Sequence, residues 1–470
     1  MGLDFASLKA FDHSGGIIFM LLVCILLLLW SRLKHPKHGF VVAFITGIFF
    51  TRCVFVLLNC FYDFMPLTQD AVRFNETMID LANVLENNGI IAIKNKILNT
   101  YVLIPSFTLP YAVFYYLFGH TPMISFTLNT LLFAYLTFNV YRVGAMLYTK
   151  QAGVFAAIIY SLLPYSSIHS TYLYRDPLVN CILMEIFYQI LIFFDNIKKR
   201  WIWIGFLFLL TALLRSENLV IFTAIFAIIM LKYNFEKITL LMPIRAIGVL
   251  FVLTMVTVYI FQNLDKSFVS IFAQLVDVEV LKERLHMNII ESSYLQDQTF
   301  NSYGDIFRYM PIRTIYFMFS PFPWDWFKII QAIPFAEAMI ILVFLLALPK
   351  AMKQQYKKRK IFILSVLIYL TIGILGSSLI QNNSAAAQRH RTQFNFLIIA
   401  IAAPFLYETF FKRIRLLRNN QRFDSMKMLT EIKKVKEHPI LLGTLKNKFS
   451  FKIFDWLESN PKKNKFDDSG

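Results

Sequence analysis

What limits this chain most is a succession of apolar runs of roughly 18 to 25 residues, separated by short blocks of Lys and Arg. A run of that length crosses a bilayer as a helix, because only a helix or a closed barrel satisfies its own backbone where no water is present. Composition agrees. Of 470 residues, 57% are hydrophobic and 16% charged, against about a quarter charged in a soluble protein; the mean hydropathy is +0.56. The expected fold is an all-α polytopic membrane protein. The net charge of +18 does not point to nucleic acid, since the basic residues sit between the runs, where they set topology. Cys24, Cys53, Cys60 and Cys181 lie in or beside apolar runs without metal-type spacing, and read as buried thiols. The first fifteen residues carry Asp4 and Asp12 with Lys9 as the one clear base, the wrong polarity for a secretory leader, so the first run is expected to be kept as a span.

In order, the runs predict eleven spans. The first two are about Gly15 to Trp30 and about Phe40 to Tyr62, with Arg32, Lys34 and Lys37 between them. Span three is about Met123 to Tyr148, span four about Gln151 to Tyr172, span five about Pro177 to Phe194 and span six about Trp201 to Leu214. Spans seven and eight are about Leu219 to Leu231 and Ile238 to Phe261. Spans nine to eleven are about Ile330 to Leu348, Ile361 to Ile380 and Phe394 to Phe411. This arrangement puts the strong basic blocks between spans on the cytoplasmic face, the N-terminus outside and the C-terminus inside. Residues 1–411 then form the transmembrane domain, with outer loops 63–122 and 262–329, and 412–470 a basic cytoplasmic tail. Within the first loop, the aromatic, Pro-broken stretch from Thr100 to Gly119 reads as a helix lying at the interface.

The loop after span two carries the most chemistry. Thr68 stands where it can cap a helix that begins near Asp70. Met78, Ile79, Leu81, Ala82 and Leu85 recur at helical spacing, giving that helix one apolar face to lay on the membrane surface. Asp70 falls in the first turn, where unpaired backbone N–H groups favour a carboxylate.

The same topology gathers distant charges at one rim: Asp70, Arg73, Glu76, Arg175, Asp176, Arg215, Glu217, Arg313, Arg389, His390 and Arg391. Arg52 falls inside span two, where a charge needs a cavity or a partner. A guanidinium fork matches phosphate, and lipid phosphates lie at the depth of this rim. Arg389 and Arg391, with His390, Arg175 and Arg215, are therefore candidate phosphate ligands; headgroup anchoring is the plainer role for any one of them. No glycine-rich phosphate loop, zinc-type spacing or nucleophile elbow is present, so neither an ATP-driven nor a serine-nucleophile mechanism has support. No metal site is expected, and a need for a divalent cation is left open.

The order of short motifs resembles the GT-C superfamily of integral-membrane glycosyltransferases that use polyprenyl- or dolichyl-phosphate sugars, in particular the bacterial polysaccharide-assembly type. Those motifs are QDAVRF, with Asp70 in the acid position and Phe74 where the pattern more often has Tyr; PYAVFYYLFG, ending at Phe118-Gly119; Tyr141-Arg142; YLYRDPL; SPFPW; and QRHRTQF. Together they cover most of Phe40 to Phe411. The resemblance implies a lipid-linked donor at the outer rim and an acceptor glycan, lipid or protein. It implies Asp70 or Asp176 in catalysis, with Asp70 as general base, and arginines on the leaving phosphate. The implied setting is a bacterial inner membrane. A polysaccharide polymerase would use similar groups. A lipid-linked glycan transporter would instead show ionisable residues mid-membrane on discontinuous helices.

Overall fold

The computed structural model describes residues 7–65, 67–99, 103–192, 197–215, 293–296, 301–326 and 328–437, together with 218, 225 and 298, and most of their side chains as far as residue 413. Expected span seven apart from Ile225, expected span eight, Glu217, much of the second long loop and the end of the basic tail lie outside the described residues. The described chain is overwhelmingly helical, and six stretches are long and apolar enough to cross a membrane: Ser14–Lys34, Gly39–Tyr62, Pro122–Leu147, Ile329–Tyr356, Lys360–Ile380 and Ser384–Arg413. These match expected spans one, two, three, nine, ten and eleven. The chain divides into a unit Met1–Tyr407, which holds every contact and site residue described below, and a unit Glu408–Gly470.

Spans one and two form one element, α1 (Ser14–Tyr62), kinked at Gly39, whose φ of 42° is a conformation glycine reaches without strain. Helix α2 (Gln69–Asn99) follows and buries Met78, Leu81 and Ala82, the apolar face expected from their spacing. Helix α3 (Leu103–Phe118) is the Pro-containing stretch expected at the interface. It is pinned by two buried hydrogen bonds, from the Tyr111 hydroxyl to Asn129 (2.6 Å) and from the Tyr115 hydroxyl to Asn75 (2.8 Å).

Helix α4 (Pro122–Leu147) is the pillar, buried along most of its length. Its Thr127, Thr130 and Thr137 return their hydroxyls to carbonyls four residues back, each at 2.8 Å, so polar side chains sit in the core without unmet bonds. Gly153 lets the next helix close on α4, since a Cβ there would lie 2.6 Å from the Tyr141 carbonyl oxygen.

Expected span four differs from its sequence reading. It is two pieces, α5 (Lys150–Ser161) and α6 (Pro164–His169), because Pro164 has no N–H to continue the ladder. Twelve residues reach about 18 Å, too short for a core of about 30 Å. The freed backbone groups at the break are met by side chains from other helices. Arg52 donates to the Ser161 carbonyl (3.2 Å) and to the hydroxyls of Ser170 (2.9 Å) and Ser167 (2.8 Å), with its guanidinium 3.7 Å over the Phe133 ring. Glu337 accepts from the Ser166 backbone N–H (2.7 Å) and hydroxyl (2.5 Å) and from Asn395 (3.0 Å). A cation thus faces the carbonyl end of α5, and an accepting carboxyl group faces the amide end of α6.

Expected span five is α7 (Asp176–Leu191), shorter than predicted, and span six is α8 (Ile197–Leu214). After the gap come α9 (Tyr303–Phe319), α10 (Ala332–Tyr356), α11 (Lys360–Ile380) and α12 (Ser384–Glu437). One end of the bundle is tied by Gln355 donating to the Leu147 carbonyl (2.8 Å). The other end gathers Asp70, Asp176, Gln381 and Arg389. Cysteine substitutions at the exposed positions Asn88 and Ala385 should therefore be labelled from one side of the membrane and Lys358→Cys from the other, in a background lacking the four native cysteines. Labelling of all three from one side would contradict the fold.

Candidate functional site

The Asp70 end is built from four elements. Helix α2 begins at Gln69 and presents Asp70 in its first turn. Thr68 precedes it, and its hydroxyl is turned to the Tyr174 hydroxyl (3.2 Å), while its N–H donates to the Tyr172 hydroxyl (3.0 Å). The segment between α6 and α7 is in turn held by Asn129 of α4, which donates to the carbonyls of Tyr172 (2.5 Å) and Tyr174 (3.1 Å). One buried asparagine therefore fixes the loop that fixes the start of α2.

Onto this frame α12 brings Arg389. It donates to Asp70 at 2.5 Å, and its guanidinium lies 5.2 Å from the centre of the Tyr174 ring. Beneath Tyr174 the rings continue as a stack: His169 at 4.4 Å and 10° between planes, then Tyr165 against His169 at 5.3 Å. Four side chains from three elements are thus layered, with Asp70 and Arg389 at the open end. Their side chains are 55% and 27% exposed.

A second, buried pair lies behind. Asp176 opens α7 and is paired with Arg215, both only 3% exposed. Arg215 also donates to His390 Nδ1 (3.1 Å), whose Nε2 lies 3.3 Å from the Gln381 side-chain amide. His169 Nε2 approaches Asp176 at 3.9 Å. Asp176 thus faces one buried guanidinium, that of Arg215, inside the protein.

The other expected site residues fall elsewhere. Arg391, expected beside Arg389 as a phosphate ligand, is buried and donates to the carbonyls of Met318 (3.0 Å), Ser320 (2.7 Å) and Pro334 (3.2 Å). It follows Arg389 by two positions, and on a helix such neighbours point to different faces. Arg313 is likewise buried and holds the carbonyls of Ser378 (3.2 Å) and Gln381 (2.9 Å). Arg52 serves the break between α5 and α6. Arg175 is half-buried and donates to the Leu214 carbonyl (3.4 Å). Arg73 and Glu76 stay exposed on α2, with no ion pair among the described residues. Glu217 lies outside the described residues.

Sequence reasoning missed His169, Tyr165, Tyr174, Gln381 and Glu337. The one available signal was Glu337 itself, an acid inside an apolar run, which demands a partner. Among the described residues no three His, Cys, Asp or Glu side chains converge at ion-holding distance. Compared with models of known protein families and with curated proteins, the chain matches none.

The two acids should respond differently to neutralisation. Asp176→Asn leaves Arg215 buried without its counter-charge, a loss of about 3–5 kcal/mol by analogy with other broken buried pairs. Asp70→Asn removes an exposed pair worth at most about 1 kcal/mol. Thermal unfolding of the detergent-solubilised variants should show a large drop for the first and little change for the second. Equal drops would contradict the assigned roles.

Proposed function

We propose that the chain is a membrane glycosyltransferase which moves a sugar from a polyprenyl-phosphate donor to an acceptor hydroxyl at the Asp70 end. The observation that carries this reading is the pairing of a solvent-reachable carboxylate, Asp70, with a partly exposed guanidinium, Arg389, at the end of an apolar helical bundle. Transfer to a hydroxyl from a lipid phosphate needs those two groups side by side: a base for the proton and a cation for the leaving group. The motif order that resembles the GT-C superfamily supports the same reading.

In the proposed reaction an Asp70 oxygen takes the proton of the acceptor hydroxyl. The acceptor oxygen then bonds to the anomeric carbon as the bond between that carbon and the lipid phosphate oxygen breaks. The electron pair leaves on the phosphate oxygen, where Arg389 meets it, with Arg175 nearby. Asp176, Arg215 and His390 act from behind, fixing the electrostatics beneath Arg389. Arg391 and Arg313, spent on backbone carbonyls, brace α12 and α9 and take no phosphate. Eleven spans, an outer N-terminus, a cytoplasmic C-terminus and a bacterial inner membrane complete the proposal. A polymerase that transfers a lipid-diphosphate oligosaccharide would use the same pair.

One observation favours a transporter instead, the discontinuous helix α5–α6 with Arg52 and Glu337 beside the break. Its polar groups, however, are filled from within the protein: Arg52 on Ser161, Ser167 and Ser170, Glu337 on Ser166 and Asn395. That is the pattern of a repaired break.

Asp70→Asn should lower transfer by roughly two orders of magnitude or more, since the amide cannot take the proton. Arg389→Lys should also lower it, because the ammonium keeps the charge and loses the fork. The measurement is transfer from a polyprenyl-phosphate sugar by the purified protein in nanodiscs, with the glycan lost on gene deletion naming the sugar to use. Near-normal turnover in Asp70→Asn would overturn the assignment of the base.

A further inference from the structure

We infer that Asp70 and Arg389 form a latch that a lipid phosphate opens: the phosphate takes Arg389, and only then is Asp70 free to serve as base. The inference rests on the glycosyl-transfer reading above and adds an order of events to it, donor before acceptor.

The geometry is unequal on the two sides of the pair. Arg389 is held independently of Asp70. Its guanidinium lies over Tyr174, and Tyr174 is fixed by Thr68 on one side and the His169 ring on the other. Asp70 has no such second hold. It sits 55% exposed in the first turn of α2, and its one side-chain hydrogen bond among the described residues is to Arg389. When the pair opens, Arg389 therefore stays and Asp70 swings.

Arg389 also has donors to spare. One terminal nitrogen reaches Asp70, while its Nε is buried with no hydrogen-bond partner among the described residues. A guanidinium carries five N–H donors in a planar fork. The contrast with its neighbours lies in the terminal nitrogens, since the Nε of Arg391 and of Arg215 is also buried with no hydrogen-bond partner among the described residues. Arg391 spends its terminal nitrogens on three carbonyls, and Arg215 spends its two on Asp176 and His390. A phosphate, with several oxygens and a full charge, can fill two donors of the fork at once, whereas the exposed carboxylate fills one.

The closed latch has a chemical consequence. Arg389 holds one Asp70 oxygen and leaves the other open, so the carboxylate is fixed in one orientation while the pair is closed. Once the lipid phosphate takes Arg389, the carboxylate is free to turn toward the acceptor hydroxyl, and activation waits for that release. The arrangement also leaves Asp70 beside the spot the phosphate enters, so the two anions compete for one cation.

The experiment measures binding of a fluorescent polyprenyl monophosphate to the full chain in phosphatidylcholine nanodiscs. Removing the competing carboxylate should tighten binding, so Asp70→Asn should bind about three- to tenfold more tightly than the unaltered protein, the range expected for releasing an exposed pair together with its charge. Arg389→Gln should weaken binding by about tenfold or more. Glu76→Gln removes an equal charge from the same helix without touching Arg389, and should leave affinity unchanged. Unchanged or weaker binding in Asp70→Asn, with Arg389→Gln still impaired, would overturn the latch while leaving the phosphate site in place. Equal tightening in Asp70→Asn and Glu76→Gln would also overturn it, in favour of a general field. Displacement of the probe by an equal mole fraction of phosphatidylglycerol would assign Arg389 to ordinary headgroups and overturn the latch. Absence of probe binding in every variant and the unaltered chain would remove the glycosyl-transfer reading and the latch with it.

Discussion

The repaired break between α5 and α6 is what the Asp70 end stands on. An irregular backbone inside a membrane bundle is tolerated only where its polar groups are met. Here Arg52, brought from the second half of α1, covers the Ser161 carbonyl, and Glu337, brought from α10, covers the Ser166 amide. Three elements distant in sequence are thereby locked around one Pro-induced gap. The short α6 that results carries Tyr165 and His169, and these form the lower layers of the stack that ends in Tyr174 and Arg389. Had the helix continued unbroken, residues 165–174 would follow its axis, and no flat aromatic floor would lie beneath the rim.

Two arginine populations emerge from the same end of the bundle. Arg52, Arg313 and Arg391 are structural, each turned inward to backbone carbonyls or hydroxyls. Arg389 alone of the expected Arg389–His390–Arg391 trio reaches the exposed acid. Burial decides the difference. A guanidinium that leaves water must fill its donors from the protein or carry a large penalty, whereas one left partly exposed can keep donors for a ligand. His390, between them, is drawn to the buried pair and accepts from Arg215.

The paired acids follow the same division. Asp176 is buried against Arg215. Asp70 is exposed, at a helix start, with one partner. A buried carboxylate of the first kind suits an electrostatic support, and an exposed one of the second kind suits proton transfer, since only the latter can be reached by an acceptor hydroxyl.

Much of the architecture was legible in the residues themselves. Six of the expected spans follow from run length and hydropathy alone, because the bilayer imposes that length on any helix that crosses it. The helix after span two, with Met78, Leu81 and Ala82 buried, follows from a period of 3.6. Basic blocks and loop order also place Asp70, Asp176 and Arg389 at one depth. Tertiary structure alone decided which charge meets which. Nothing local couples Asp70 to a residue more than three hundred positions away, Arg52 to a carbonyl on α5, or Glu337 to the amide end of α6. Nor does the pattern at 389 to 391 reveal which arginine faces in. Spacing along the chain sets depth and helix face, but a hydrogen bond between helices depends on their packing angle and register, which many side chains fix jointly.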